Sequence, residues 1–377
     1  MIGNPSPQIL LIDDNPDDVV AVQRWLQMSE RSYELRVAAT LGEAQASIQS
    51  QRPDLILLDL TLHESAGLDR LCQVLSFADE RPIVVLTGYG DRNMALEAVR
   101  MGVEDCVLKH DITRCEHLTQ AIDLAIERYR RKLAEHSIVA FENQMNLAQR
   151  IQRTLLPIAC EPFDRVRWCG RCEPAEQTGG DFYDLMLLPD ASLAVMIADV
   201  SGHGLGPAML MMETRAILRA MSLVCDDPGT VLSTTNHVLC QDIRLRYFAT
   251  LFFGVFSPDR TTLRYASAGH PGYLLRSHFE PMPLTSNDPP LGIVTDKAYV
   301  TRTIDTIAVA STLLLFTDGI LDFLSDDLEE RTFHKAVERA NQYSSGSIME
   351  MLDALFANID CHDGKRDDCS TLLVRTM

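Results

Sequence analysis

The chain has 377 residues, 46% of them hydrophobic and 23% charged, and a formal net charge of −19. That length and composition suggest two or three globular domains, and the negative balance argues against a large basic footprint for nucleic acid or anionic lipid. No apolar run can span a bilayer and the start MIGNPSPQILLIDDN lacks a basic n-region, so no membrane partner and no signal peptide are expected and the chain reads as cytoplasmic.

Residues 8–118 alternate short apolar strands with amphipathic helices. The strands are QILLID, DLILLDL, PIVVLTG and DCVLK, with helical stretches such as VVAVQRWLQM and LGEAQASIQS between them. This alternation predicts a doubly wound α/β domain over 1–118, with a parallel sheet and ligands beyond the carboxyl ends of its strands. From Leu118 to Leu156 there is neither Gly nor Pro. Apolar residues fall at Ile122, Ile126, Tyr129 and Leu133, then more loosely at Ala140, Leu147, Ile151 and Leu155, with His136 interrupting the seam. The spacing predicts a linker helix over 119–157, ended by Pro157. Such a helix either packs on its own domains or pairs with a second copy as a parallel coiled-coil homodimer.

Residues 158–377 bring many strands close together: LAVMIADV, FATLFFGVF, LRYASAG, GYLLR, LLLFTDG and STLLVRT. Helical stretches GPAMLMMETRAILRAM, TVLSTTNHVLCQDI and SIMEMLDALFANI interrupt them. Strands with few crossovers predict an α+β layered domain. Ten cysteines are scattered along the chain, and Cys169 and Cys172 form the one close pair. Without a second pair or suitably spaced histidines this is no zinc pattern, and a strand through VRWCGRCE would point the two thiols to opposite faces.

Five polar residues end successive strands of the first domain: Asp13 and Asp14, Asp59, Thr87 and Lys109. Parallel strands in register would bring them together. Three adjacent carboxylates call for a hard cation such as Mg²⁺, and metal plus lysine would stabilise a phosphoryl group moving to one carboxylate. This domain resembles a two-component receiver, a flavodoxin-like five-stranded fold. The resemblance makes Asp59 the phosphoacceptor, sets Asp13, Asp14, Asp59 and Thr61 around one Mg²⁺, makes Thr87 and Lys109 the signalling pair, and fits Gly67 to the family's loop. It implies a sensor histidine kinase as partner. Cys106 stands where the family usually has an aromatic or His switch residue, and His110 where it usually has Pro.

In the last domain acids recur beside glycine or a second acid, in GGDFYD (179–184), IADVSGHG (197–204), LFTDG (315–319) and RDDCS (366–370). Carboxylates, a carbonyl and waters are the oxygen set that Mg²⁺ or Mn²⁺ prefers, and two such ions can activate a water and hold a phosphoryl oxygen. The region from 145 onward resembles a PPM-family (protein phosphatase 2C-like) serine/threonine phosphatase of the bacterial stage II sporulation E and RsbU type. The resemblance runs through QRIQRTLLP, EPAEQTGGDFYD, ADVSGHG, SAGHPG, PPLGI, FTDGILD and RDDCSTLLV. It implies a β-sandwich flanked by helices and two Mg²⁺ or Mn²⁺ ions held by Asp181, Asp199, the Val200 carbonyl, Asp318 and Asp367, with Asp199 bridging. Spacing alone does not choose between Asp367 and Asp368. Gly180 and Asp184 are secondary candidates. Ala310-Ser311 and Asp322 depart from the Gly-Asp and Glu common in relatives. His203 and His270 lie in glycine-flanked loops as possible general acids, with loop shaping by hydrogen bonds the favoured reading.

The combined expectation is a response regulator with a phosphatase output. The linker helix would carry the receiver's state to QRIQRTLLP and so to the strands bearing Asp181 and Asp199. The implied substrate is a phosphorylated STAS-domain anti-sigma-factor antagonist. The rival readings are a non-catalytic protein that sequesters such an antagonist, and an adaptor built around the receiver.

Overall fold

The computed structural model describes residues 6–60, 67–88, 92–109, 115–157, 162–163, 165–242, 247–277, 279–285, 288–323, 332–357 and 367–377. Two compact units divide the chain, Met1–Phe141 and Glu142–Met377.

The first unit runs β1 (Gln8–Ile12), α1 (Pro16–Gln27), β2 (Glu34–Ala38), α2 (Leu41–Ser50), β3 (Leu55–Asp59), α3 (Leu68–Phe77), β4 (Ile83–Thr87), α4 (Arg92–Arg100) and β5 (Asp105–Leu108). The strands form one parallel sheet in the order β2-β1-β3-β4-β5. Alternate residues of the central strands feed two cores. Leu10, Ile12, Ile56, Leu58 and Val85 pack on one face, and Ile9, Leu11, Leu57, Val84 and Leu86 on the other. Burial on both faces explains why these strands read as continuous apolar runs. β2, ELRVA, is a half-exposed edge strand without such a run, and the sequence pattern passes over it.

Helix α5 (Cys115–Leu155) has 41 residues. Leu118, Ile122, Ala125 and Ile126 are buried in the first unit's own core. The start of the expected seam is therefore intramolecular. Leu133, Ile138, Phe141, Leu147 and Ile151 are exposed.

The second unit contains β6 (Pro162–Phe163), β7 (Val166–Glu173), β8 (Phe182–Leu187), β9 (Leu193–Val200), α6 (Leu205–Ser222), α7 (Pro228–Asp242), β10 (Ala249–Phe256), β11 (Leu263–Ala268), β12 (Gly272–Leu275), β13 (Met282–Leu284), β14 (Arg302–Ile304), β15 (Thr312–Phe316), α8 (Phe333–Asn341), α9 (Ile348–Phe356) and β16 (Cys369–Thr376). A first antiparallel sheet has the order β14-β11-β10-β9-β8, and a second the order β13-β12-β15-β16-β7-β6. Trp168, Val195, Ile197, Phe252, Leu313, Leu315 and Leu372 fill the space between them. The outer face of the first sheet packs on α6 and α7 through Met196, Phe253, Leu210 and Leu232. The outer face of the second packs on α8 and α9 through Leu314, Leu373, Val337 and Leu355. Four layers result, helices outside and strands inside. Cys169 faces the outer core while Cys172 packs toward the inner one, as a strand requires. Among the described residues no helix is long and apolar enough to cross a membrane.

Candidate functional site

In the first unit the register sets the site. Ile12 pairs with Leu58 and Thr87 with Leu108, so Asp13, Asp59, Thr87 and Lys109 stand at one end of adjacent strands. Asp13, Asp14 and Asp59 each offer a carboxylate oxygen within 4.8 Å of the other two. That oxygen set fits one hard divalent cation. Burial raises the Asp13 pKa, and the Asn15 N–H and Lys109 oppose it only in part. The Lys109 ammonium lies 2.6 Å from Asp18, 3.2 Å from Asp59 and 3.4 Å from Asp13. Burial pulls the Lys109 pKa down, but these three acids more than offset it and keep the ammonium charged. The Thr87 hydroxyl is buried and donates to the Gly88 carbonyl at 3.3 Å. Cys106 donates to the Ala95 carbonyl at 3.5 Å, with burial and then Asp105 pushing its thiol up to about 11. Thr61 and His110 lie outside the described residues. Sequence reasoning missed two members. Asp18 makes the shortest contact to Lys109, and buried Arg70 donates to the Asp59 carbonyl at 3.1 Å.

In the second unit the acids come from both sheets. Asp181 immediately precedes β8 and Asp199 lies in β9, both in the first sheet. Asp318 follows β15, and Asp367 and Asp368 precede β16, both in the second. Asp181 is buried, its Oδ2 accepting from the Thr317 hydroxyl at 2.7 Å. Its buried Oδ1 has no hydrogen-bond donor. Burial, then Asp199 and Asp368, hold the Asp181 carboxyl well above the usual range. Burial, then Asp318, Asp367 and Asp368, push Asp199 up to about 7. An undersatisfied carboxylate beside four more is an arrangement that divalent cations would relieve, and the donors are the hard oxygens such ions take. The five acids stand farther apart than the receiver trio; among the described residues no second trio is as tight.

Asp367 and Asp368 differ in environment. Asp368 is buried and accepts from the Ala175 N–H at 2.7 Å and the Gly180 N–H at 2.6 Å. Burial raises its pKa, and these two N–H groups oppose the rise. Asp367 is exposed and acts on Asp199 through space. Gly180 brings the Val200 carbonyl into the same place: a Cβ there would stand 2.6 Å from that oxygen. At Gly319 a Cβ would stand 2.0 Å from the Asp368 carbonyl oxygen.

Asp184 does not join the site. It points to the outer face of β8, where Arg215 and Arg219 hold it at 2.9 and 2.6 Å. His203 is exposed and pairs with Glu176 at 2.7 Å. His270 is buried, with Nδ1 2.9 Å from the Thr250 hydroxyl, and burial takes its pKa down to about 4, opposed by the Phe316 main chain. A neutral imidazole of that kind is not a poised proton donor at pH 7. Gln152, near the end of α5, escaped the sequence reading. Its buried amide donates to the Gly179 carbonyl at 2.6 Å and accepts from the Gly179 N–H at 3.2 Å. The signal was present in QRIQRTLLP, but the partner, 27 residues away, was not.

Comparison with known proteins identifies both parts of the chain. The family model of stage II sporulation protein E matches residues 189–377, half of the chain, and that of the response regulator receiver domain matches residues 9–123. The chain is 29% identical over 216 residues to protein IcfG of Synechocystis sp., covering 49% of this chain and 34% of IcfG. It is 26% identical over 239 residues to the phosphoserine phosphatase RsbU of Bacillus subtilis, covering 62% of this chain and 70% of RsbU. It therefore spans about a third of the first relative and about two thirds of the second. The SiaA-PP2C domain of Pseudomonas aeruginosa shares the fold, with a TM-score of 0.55 at 21% identity over 64% of this chain and 99% of that one. The chain thus belongs to the stage II sporulation protein E family of PP2C-like phosphatases and carries a response regulator receiver domain ahead of that module.

Proposed function

We propose that the chain is a response regulator whose phosphorylation at Asp59 controls a metal-dependent protein serine/threonine phosphatase. One observation carries this reading: five carboxylates from two sheets crowd one edge of the second unit, with Asp199 pushed up to about 7 and a buried Asp181 oxygen lacking a donor. Asp181, Asp199, the Val200 carbonyl, Asp318 and Asp367 would hold two Mg²⁺ or Mn²⁺ ions. Bound there, such ions supply an activated water and neutralise charge on the phosphoryl group. The chain's own residues set the geometry. Thr317 orients Asp181. Asp368 spends both oxygens on the Ala175 and Gly180 amides and so acts as a brace, which favours Asp367 as the ligand.

In the receiver, Asp13, Asp14 and Asp59 would hold one Mg²⁺ while Lys109 balances charge on the phosphorylated Asp59. A sensor histidine kinase is the partner that this chemistry requires. Linker 119–157 would carry the signal. Gln152 supports that route, because it joins the end of α5 to the loop carrying Asp181. Exposed Leu133, Ile138, Phe141, Leu147 and Ile151 support pairing of α5 with a second copy. The likeness to RsbU, a phosphoserine phosphatase, supports a phosphoserine substrate; its carrier in this proposal is the STAS-domain anti-sigma-factor antagonist that the family resemblance implies.

The test is phosphate release from a phosphorylated STAS protein with Mn²⁺, with and without beryllofluoride on the receiver. Turnover that requires Mn²⁺, responds to beryllofluoride and disappears in Asp199→Asn is expected. Undiminished turnover in Asp199→Asn would reject the metal mechanism.

A further inference from the structure

A cavity of about 420 Å³ opens where the two sheets meet. Asp199 and Thr250 of the first sheet and Phe316 and Asp318 of the second line it, with His270 between them. His270 lies on the connection from β11 to β12, where the chain passes from one sheet to the other. It is 3% exposed, so its two ring nitrogens are committed to this interior.

Two hydrogen bonds hold the loop around it. The His270 N–H donates to the Ser267 hydroxyl oxygen at 3.1 Å, and that hydroxyl donates back to the His270 carbonyl at 2.6 Å. From this loop the imidazole reaches the Thr250 hydroxyl at 2.9 Å. Thr250 stands directly opposite Asp199 in the antiparallel register, so the two side chains are same-face neighbours with Cβ atoms roughly 5 Å apart. The ring also lies against the main chain of Phe316, two residues before Asp318. Two bonds cross between the sheets here: Thr317 to Asp181, and the Gly180 N–H to Asp368. They locate Asp181 and Asp368. The His270–Thr250 bond acts one step removed: it joins the residue opposite Asp199 to a ring that lies against Phe316, two residues before Asp318.

We propose that His270 is a positioning residue that fixes the separation of Asp199 and Asp318, and through it the affinity of this edge for divalent cations. The proposal rests on the metal-dependent reading above. It assigns His270 a structural link to the acids rather than a proton transfer. Outer-shell partners of this kind typically contribute about 10–100-fold in metal affinity.

The experiment uses the full chain with the receiver site disabled by Asp13→Asn and Asp14→Asn in every arm, and reads Mn²⁺ binding directly, from the electron paramagnetic resonance signal of free Mn²⁺ during titration, beside phosphate release. Thr250→Val removes the hydroxyl at nearly constant volume, and His270→Phe keeps a ring without nitrogens. Each is expected to weaken Mn²⁺ binding by about 10–100-fold, and the double variant to be no weaker than the poorer single one, because the two residues act as a pair. His270→Gln, which keeps a hydrogen-bonding amide, is expected to recover part of the loss. If His270→Phe does not fold, Thr250→Val decides alone. Wild-type affinity in Thr250→Val overturns the proposal, as does lost turnover with Mn²⁺ affinity intact, which would make His270 a chemical participant. A receiver-disabled chain, otherwise unaltered, that binds no Mn²⁺ overturns the metal reading itself, and this inference with it.

Discussion

Replacing Gly180 by alanine adds one methyl group at the point where the two sheets and the proposed ligands meet. The new Cβ would stand 2.6 Å from the Val200 carbonyl oxygen and 3.1 Å from both the Val200 and Pro207 Cβ atoms. Carbon–oxygen contacts relax at about 3.3 Å, so the carbonyl or the Gly180 loop must move by about 0.7 Å. Neither side yields easily. Val200 is a buried strand residue, and the Gly180 N–H is held by buried Asp368 at 2.6 Å. Overpacking of this kind costs about 1–3 kcal/mol, and in a unit of this size each kcal/mol lowers Tm by about 2–4 °C. The protein therefore stays folded, several degrees less stable. A 0.7 Å displacement of a ligand is close to the misplacement of about 1 Å that costs about 100-fold in rate. Mn²⁺-dependent phosphate release is expected to fall by about 10–100-fold, measured beside a thermal melt by circular dichroism. Full turnover with unchanged Mn²⁺ affinity in Gly180→Ala would refute the placement of the Val200 carbonyl among the ligands.

Gln152→Ala leaves the Gly179 N–H and carbonyl without their buried partners, at about 1–3 kcal/mol each. Its phosphatase is expected to lose the response to beryllofluoride while the receiver still binds it, and an intact response would exclude this route of coupling. Asp199 gives a pH signature in the metal-free protein. Its pKa rises from 3.8 to about 7 on folding, so between those values the folded chain holds a proton that the unfolded chain has released. The stability associated with this group is greatest below about pH 4 and is lost as pH climbs to about 7. Melts in a chelator from pH 5 to 8 should show a steeper loss in the wild type than in Asp199→Asn; parallel curves would contradict the shift.

Much of this was legible from residue order. The central receiver strands are buried on both faces, so their apolar runs announce them, and the polar residues that end them converge because parallel strands share a register. β2 was missed because an edge strand with half-exposed residues carries no such run. The seam of α5 was visible, but its allocation was not: Ile122 and Ile126 have the same spacing as exposed Leu147 and Ile151, and only packing separates them. Asp184 illustrates the converse. It lies three residues from Asp181, yet the pleat turns it to the outer face and the two arginines of α6.

Residue types and their local spacing determined the elements, the acid-bearing motifs and the chemistry those acids invite, because periodicity and strand ends are short-range properties. Which acid faces a cation and which braces the loop was decided only in three dimensions. Asp368 is taken up by amides 188 and 193 residues away, and His270 by a hydroxyl on the neighbouring strand 20 residues away. Contacts between distant segments depend on how two sheets stack, and no local pattern encodes that.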